Sequence, residues 1–140
     1  MDEDNKKIGI LIVEDEVPLL DTYAEILSGE GYQVFKAEGG VRGLQLIEEN
    51  KAVIKVVFLD LMMSGMDGLD VLRKVKSDSA KYGSPKVIVL TNMTSEQIIK
   101  EAFMIGADSY LIKSELDAKD MKTEIANVLP QEAGAAQNTN

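Results

Sequence analysis

Neither cysteine nor histidine occurs in the 140 residues of this chain. Without Cys there are no disulfides, no thiolate nucleophile and no zinc-thiolate site; without His the commonest metal ligand and general base is missing. Any metal chemistry must therefore run on oxygen ligands. Guanidinium groups are confined to Arg42 and Arg73, and 15 basic residues face 24 acidic ones for a net charge of -9. Such a surface has no basic footprint for a phosphate backbone, so direct nucleic-acid binding is not expected. Long apolar runs are also lacking: the longest are strand-sized, and Met1-Asp-Glu-Asp-Asn-Lys-Lys lacks the basic-then-apolar order of a secretory leader. These absences predict a soluble, cytoplasmic protein with no membrane contact.

What is present is material for one core. A 45% apolar content over this length suits a single domain rather than two. Residues 1–6 read as a lead, 7–129 as the domain and 130–140, small and polar, as a flexible tail. Along the chain strand-like and helix-like segments alternate. Ile8 to Val13 is short, continuous and β-branched, which suits a strand covered on both faces. From Val17, Leu19, Leu20, Tyr23, Ile26 and Leu27 recur at helical spacing until Gly29 and Gly31. The alternation continues with a strand Gln33 to Ala37 and a helix carrying Val41, Leu44, Leu46 and Ile47 to about Asn50. A strand Val53 to Leu59 and a helix with Leu69, Val71, Leu72 and Val75 follow. After a polar loop through Tyr82-Gly-Ser-Pro85 come a strand Lys86 to Leu90 and a helix from about Ser95, capped by Thr94 or Ser95, to Ile105. A strand Ser109 to Ile112 and a helix Leu116 to Leu129 complete the series. Five such units predict an α/β, doubly wound (βα)5 fold of the flavodoxin-like kind, a five-stranded parallel sheet in order 2-1-3-4-5 with helices on both faces.

In open α/β sheets the ligand site lies outside the carboxyl ends of the strands. The first strand delivers Glu14 and Asp15 there, the third Asp60, the fourth Thr91 and Asn92, and the fifth Lys113; the second delivers Glu38 and Gly39-Gly40, with no evident role. Strands one and three are neighbours in the predicted order, so three carboxylates converge. Two like charges 4 Å apart repel by roughly 4 kcal/mol at an effective dielectric near 20, so the cluster must take up protons or hold a cation. Mg²⁺ suits a shallow all-oxygen site that leaves positions for water and a phosphoryl oxygen. Lys113 and Thr91 would flank the place where phosphoryl charge appears.

These segments resemble the response-regulator receiver domains of two-component signalling. The resemblance runs from Lys7 to about Leu129 and rests on Ile10-Leu-Ile-Val-Glu-Asp-Glu16, Val57-Phe-Leu-Asp-Leu-Met-Met-Ser-Gly-Met-Asp-Gly68, Val87-Ile-Val-Leu-Thr91 and Gly106-Ala-Asp-Ser-Tyr-Leu-Ile-Lys113. Each is modest alone; in this order, each at a strand end, they are specific. The resemblance implies that Asp60 accepts a phosphoryl group from a sensor histidine kinase or a histidine phosphotransfer protein. It implies that Glu14, Asp15, Asp60 and the backbone carbonyl of Met62 hold Mg²⁺, and that Lys113 contacts the phosphoryl group. Thr91 and Tyr110 take the switch positions, altering a face built from the fourth helix, fifth strand and fifth helix that meets a downstream protein. With no segment after Leu129 large enough to form an output domain, a stand-alone module is expected, as a monomer or a phosphorylation-linked dimer. It would catalyse only its own phosphorylation and slow dephosphorylation.

The chain departs from the family pattern at three places. Ser64 stands where proline is usual, which predicts a looser loop. Lys113-Ser114 replaces a Lys-Pro pair with a cis bond; a cis bond without proline costs about 3 kcal/mol, so trans is expected. Met62 and Met93 occupy positions that in the family tune phosphoryl lifetime, and apolar side chains there offer nothing to orient water, which predicts slow self-dephosphorylation. Taken singly the residues have plainer readings: Asp60 as a strand-end turn residue, Thr91 as a capping hydroxyl, Lys113 as a surface lysine, Tyr110 as a half-buried strand aromatic. Met62, Met63 and Met66 read as loop and core packing, and Glu48 and Glu49 as a solvated face. The competing function is a receiver-like adaptor that binds partners without phosphorylation. An aspartyl-nucleophile phosphatase typically wants a second acid where Met62 stands, and a flavin carrier would find its phosphate repelled by Glu14-Asp15-Glu16.

Overall fold

The β-branched segments form five strands because only strands let such residues pack on both faces of a covered sheet. A computed structural model describes residues 8–92 and 96–129. Its strands are β1 Gly9–Val13, β2 Gln33–Ala37, β3 Ile54–Asp60, β4 Lys86–Thr91 and β5 Ser109–Ile112. All neighbouring pairs are parallel, in the order β2-β1-β3-β4-β5. Parallel neighbours require crossovers, supplied by the helices α1 Val17–Ser28, α2 Gly40–Glu49, α3 Gly68–Ser77, α4 Glu96–Ile105 and α5 Ala118–Val128. The doubly wound α/β architecture read from the alternation is the one observed.

Side-chain alternation divides the core into two layers. Ile10, Ile12, Val56, Phe58, Ile88 and Leu90 pack against Leu20 and Leu27 of α1 and Met121 and Ile125 of α5. On the other face Leu11, Val13, Val57, Leu59, Val87 and Val89 pack against Ile47 of α2, Val71, Leu72 and Val75 of α3, and Ala102 of α4. Each fully buried side chain of this size stabilises the fold by roughly 1.5–3 kcal/mol. Val41, assigned by its spacing to the apolar face of α2, is 59% exposed; Gly43, Leu44, Leu46 and Ile47 form the buried face instead.

Helix ends account for the remaining differences. Asp67 caps α3 by accepting from the Leu69 N–H at 2.9 Å. The last helix begins at Ala118, not Leu116, because Asp117 and Asp120 form a reciprocal capping box, while Lys113–Glu115 makes a single 3-10 turn. Where a polar loop was expected, Asp78 accepts from Lys81 N–H and closes one helical turn, Ser79–Tyr82. The α4 cap expected at Thr94 or Ser95 lies outside the described residues. Among those residues there is no cis peptide bond, so Lys113-Ser114 is trans as anticipated. No helix among them is long and apolar enough to cross a membrane.

Candidate functional site

Register brings the charged residues together. β1 pairs with β3 as Ile10 with Val56 and Ile12 with Phe58, so continuing by one more step places Glu14 opposite Asp60 on the face that carries α1 and α5. Leu90 pairs with Leu111, which packs on that same layer, and Lys113 follows two residues later on the same side. The result is a cluster at the carboxyl edge of the sheet. Carboxylate oxygens of Glu14, Asp15 and Asp60 all lie within 4.8 Å of one another. Lys113 Nζ stands 2.8 Å from Glu14 Oε1 and 3.3 Å from Asp60 Oδ2.

Each acid is held differently. Glu14 is fully buried; its Oε2 accepts from the Glu16 N–H at 3.1 Å, while among the described residues Oε1 takes no aligned hydrogen bond and forms an ion pair with Lys113. Burial pushes the Glu14 carboxyl above its ordinary range, against the pull of Lys113. Asp60 is 1% exposed, and its Oδ1 accepts from the Met62 N–H at 3.0 Å. Burial alone would lower the Lys113 ammonium, but Glu14 and Asp60 hold it above its usual value. Behind Asp60 the start of α3 is pressed close: a Cβ on Gly68 would lie 2.5 Å from the Asp60 carbonyl oxygen and 2.6 Å from Leu61 Cα, so only glycine fits.

Asp15 is anchored by Ser64. Both the Ser64 N–H and its hydroxyl donate to Asp15 Oδ2 at 3.0 Å, and the N–H is the leading cause of a carboxyl pKa below the ordinary value. A proline here could donate neither bond, whereas serine ties the loop to the acid after β1. Sequence reading missed this contact, because nothing in the chain announces which way a strand-end aspartate turns. Met62 is 56% exposed, so of the methionine cluster only Met63 and Met66 pack against the core. Met62, Met63, Leu61, Leu69 and Ile98 line a groove of about 460 Å³. Glu48 and Glu49 are exposed, as their reading as a solvated face anticipated.

Thr91 is buried at the end of β4, next after Leu90, the register partner of Asp60. Tyr110 is 42% exposed, and its ring meets Phe103 of α4 edge-on at 6.1 Å. Met93 lies outside the described residues. The donor set suits a hard divalent cation. It offers oxygen ligands alone, one of them a buried carboxylate oxygen lacking an aligned donor, and the excess negative charge calls for compensation.

Residues 10–126 match the family model described as the response regulator receiver domain. The chain belongs to that family. It is 32% identical over 123 residues to the chemotaxis protein CheY of Treponema pallidum, covering 86% of this chain and 81% of that protein. Sporulation initiation phosphotransferase F of Bacillus subtilis is 28% identical over 121 residues, covering 86% of this chain and 93% of its own length. Among solved structures, a response regulator receiver domain protein from Clostridium thermocellum superposes with a TM-score of 0.78 at 30% identity, over 86% of this chain and 93% of the other. As a receiver domain the protein is a signalling module of two-component systems and not a conventional enzyme. Its acidic cluster is consistent with a phospho-acceptor site and suitable for Mg²⁺.

Proposed function

We propose that this receiver domain takes a phosphoryl group from a histidine kinase or a histidine phosphotransfer protein onto Asp60. The observation that carries the reading is the convergence of Glu14, Asp15 and Asp60 with Lys113 at one strand edge. A relative that is a phosphotransferase by name supports placing it in a phosphorelay. Glu14, Asp15, Asp60 and the carbonyl of Met62 would hold Mg²⁺, which when bound supplies charge neutralisation to the phosphoryl oxygens.

The chain's own residues supply positioning. The Met62 N–H fixes one oxygen of Asp60, leaving the carboxylate oriented for in-line attack. The phosphorus–nitrogen bond of the donor breaks as a phosphorus–oxygen bond forms on Asp60, and the imidazole leaves with its electron pair. No base in the receiver is needed, which is why a chain without histidine can perform it. Lys113, already within reach of Asp60, turns from Glu14 to the new phosphoryl oxygens. The added charge of about -1.5 to -2 also draws the Thr91 hydroxyl. Tyr110, resting outward against Phe103, follows and alters the α4-β5-α5 face presented to a protein partner.

Intact mass after incubation with a small phosphodonor tests this, with and without Mg²⁺, on the parent and on Asp60→Asn. The expected result is a single Mg²⁺-dependent adduct that the variant does not form. Mg²⁺ binding without any adduct would overturn the transfer reading in favour of a phosphorylation-independent adaptor.

A further inference from the structure

We propose that Ser64 is a positioning residue for the cation site: its two hydrogen bonds to Asp15 Oδ2 hold that carboxylate in its ligating orientation and couple Mg²⁺ binding to the loop after Asp60. The inference rests on the Mg²⁺-dependent reading above and goes beyond it by naming a residue outside the ligand set.

Three observations lead there. First, the other two acids each have a backbone N–H two residues on and the Lys113 ammonium, Glu14 the Glu16 N–H and Asp60 the Met62 N–H. Asp15 is less buried than either, and among the described residues the hydrogen bonds that reach its side chain from elsewhere in the fold both come from Ser64, 49 residues along the chain. Second, both Ser64 donors converge on one oxygen, Oδ2, and a carboxylate oxygen of Asp15 lies within 4.8 Å of oxygens of Glu14 and Asp60. Outer-sphere hydrogen bonds of this kind orient ligands, and their loss commonly weakens metal affinity tenfold or more. Third, Ser64 sits between exposed Met62 and the α3 cap Asp67, so whatever fixes Asp15 also fixes this loop. By reciprocity, a loop that strengthens Mg²⁺ binding is itself ordered by Mg²⁺.

A graded set of variants tests the idea. Mg²⁺ affinity is measured by calorimetry on the parent, Ser64→Thr, Ser64→Ala and Ser64→Pro, with melting temperatures in chelator as a check on folding. Ser64→Thr keeps both donors, Ser64→Ala keeps only the N–H and Ser64→Pro keeps neither. The expected order is parent-like affinity for threonine, an intermediate loss for alanine and a loss of about tenfold or more for proline. In the parent, the Ser64 amide resonance shifts on Mg²⁺ addition. A merely structural role would lower melting temperatures and leave the affinity order flat. Unchanged or tighter binding in Ser64→Ala, with the parent binding normally, overturns the proposal alone, even if Ser64→Pro does not fold. A parent that binds no Mg²⁺ overturns both this inference and the reading it rests on.

Discussion

At rest Lys113 belongs to Glu14 more than to Asp60: its Nζ is 2.8 Å from Glu14 Oε1 and 3.3 Å from Asp60 Oδ2. With the lysine side chain 7% and the glutamate 0% exposed, neither charge has water to fall back on. Removing one partner of such a pair leaves a buried charge uncompensated at a cost of about 3 kcal/mol or more. Lys113→Ala is therefore expected to melt roughly 10 °C below the parent in chelator. Mg²⁺, replacing the missing positive charge, should raise the variant's melting temperature by more than it raises the parent's. Equal melting temperatures in chelator would show that the pair does not stabilise the fold.

Gly68 sets a second test. A methyl group there meets backbone, the Asp60 carbonyl oxygen at 2.5 Å and Leu61 Cα at 2.6 Å, and backbone cannot swing aside. Gly68→Ala is expected to cost about 3 kcal/mol and to slow phosphorylation by displacing Asp60. Gly65→Ala is the control: it meets nothing within 4 Å, but its φ of +81° carries a strain of about 1–2 kcal/mol. Chemical denaturation of both variants should rank Gly68→Ala as the less stable.

The pH dependence follows from Asp15. Its carboxyl pKa is depressed below 3.8, first by the Ser64 N–H, so the folded state binds the ionised form more tightly than the unfolded state does. The stability this gives is present above the ordinary value and is lost as pH falls through the depressed one. Urea unfolding in chelator should show a gap between the parent and Ser64→Pro that is constant near neutrality and narrows below pH 3.8. Glu14 acts with the opposite sign: burial raises its pKa, so protonation favours the folded state as pH falls. That contribution is common to both proteins and leaves the gap between them unchanged. A gap unchanged down to the lowest pH would separate Ser64 from the Asp15 charge.

Phosphoryl lifetime should answer to Met62. Met62 follows the proposed acceptor Asp60 by two residues, and its exposed thioether cannot orient an attacking water. Met62→Asn supplies an amide for that purpose and is expected to shorten the lifetime of the adduct by about tenfold, followed by the decay of intact mass. Equal decay in the two proteins would place control of hydrolysis elsewhere.

The sheet order was legible because alternating strand and helix patterns leave few right-handed windings, and the charged cluster was legible because each of its members ends a strand. The Asp117 cap could have been read too, since Asp117 and Asp120 have the spacing of a reciprocal cap; the apolar Leu116 drew the helix start two residues early. The turn at Ser79–Tyr82 is too short to show periodicity. The Ser64 contact with Asp15 was missed for a different reason. Comparing it with proline registers the loss of stiffness, whereas the gain, two donors aimed at a residue far away in sequence, exists only once the fold is formed.

The sheet also acts as a partition. Glu14, Asp60 and Lys113 project toward the α1 and α5 side, whereas Val89 and its register partner Tyr110 belong to the side of α4, and Thr91 follows Val89 there. A pleated layer one residue thick thus separates the charged cluster from the Tyr110 side, with apolar side chains filling both sides beneath it. Under the proposed transfer to Asp60, a change that crossed this apolar interior would have to unpack it, so the route to Tyr110 runs around the rim, through the ends of β4 and β5. Substitutions deep in either layer would then change how firmly the domain folds without changing how faithfully it reports, and those at the rim would do the reverse.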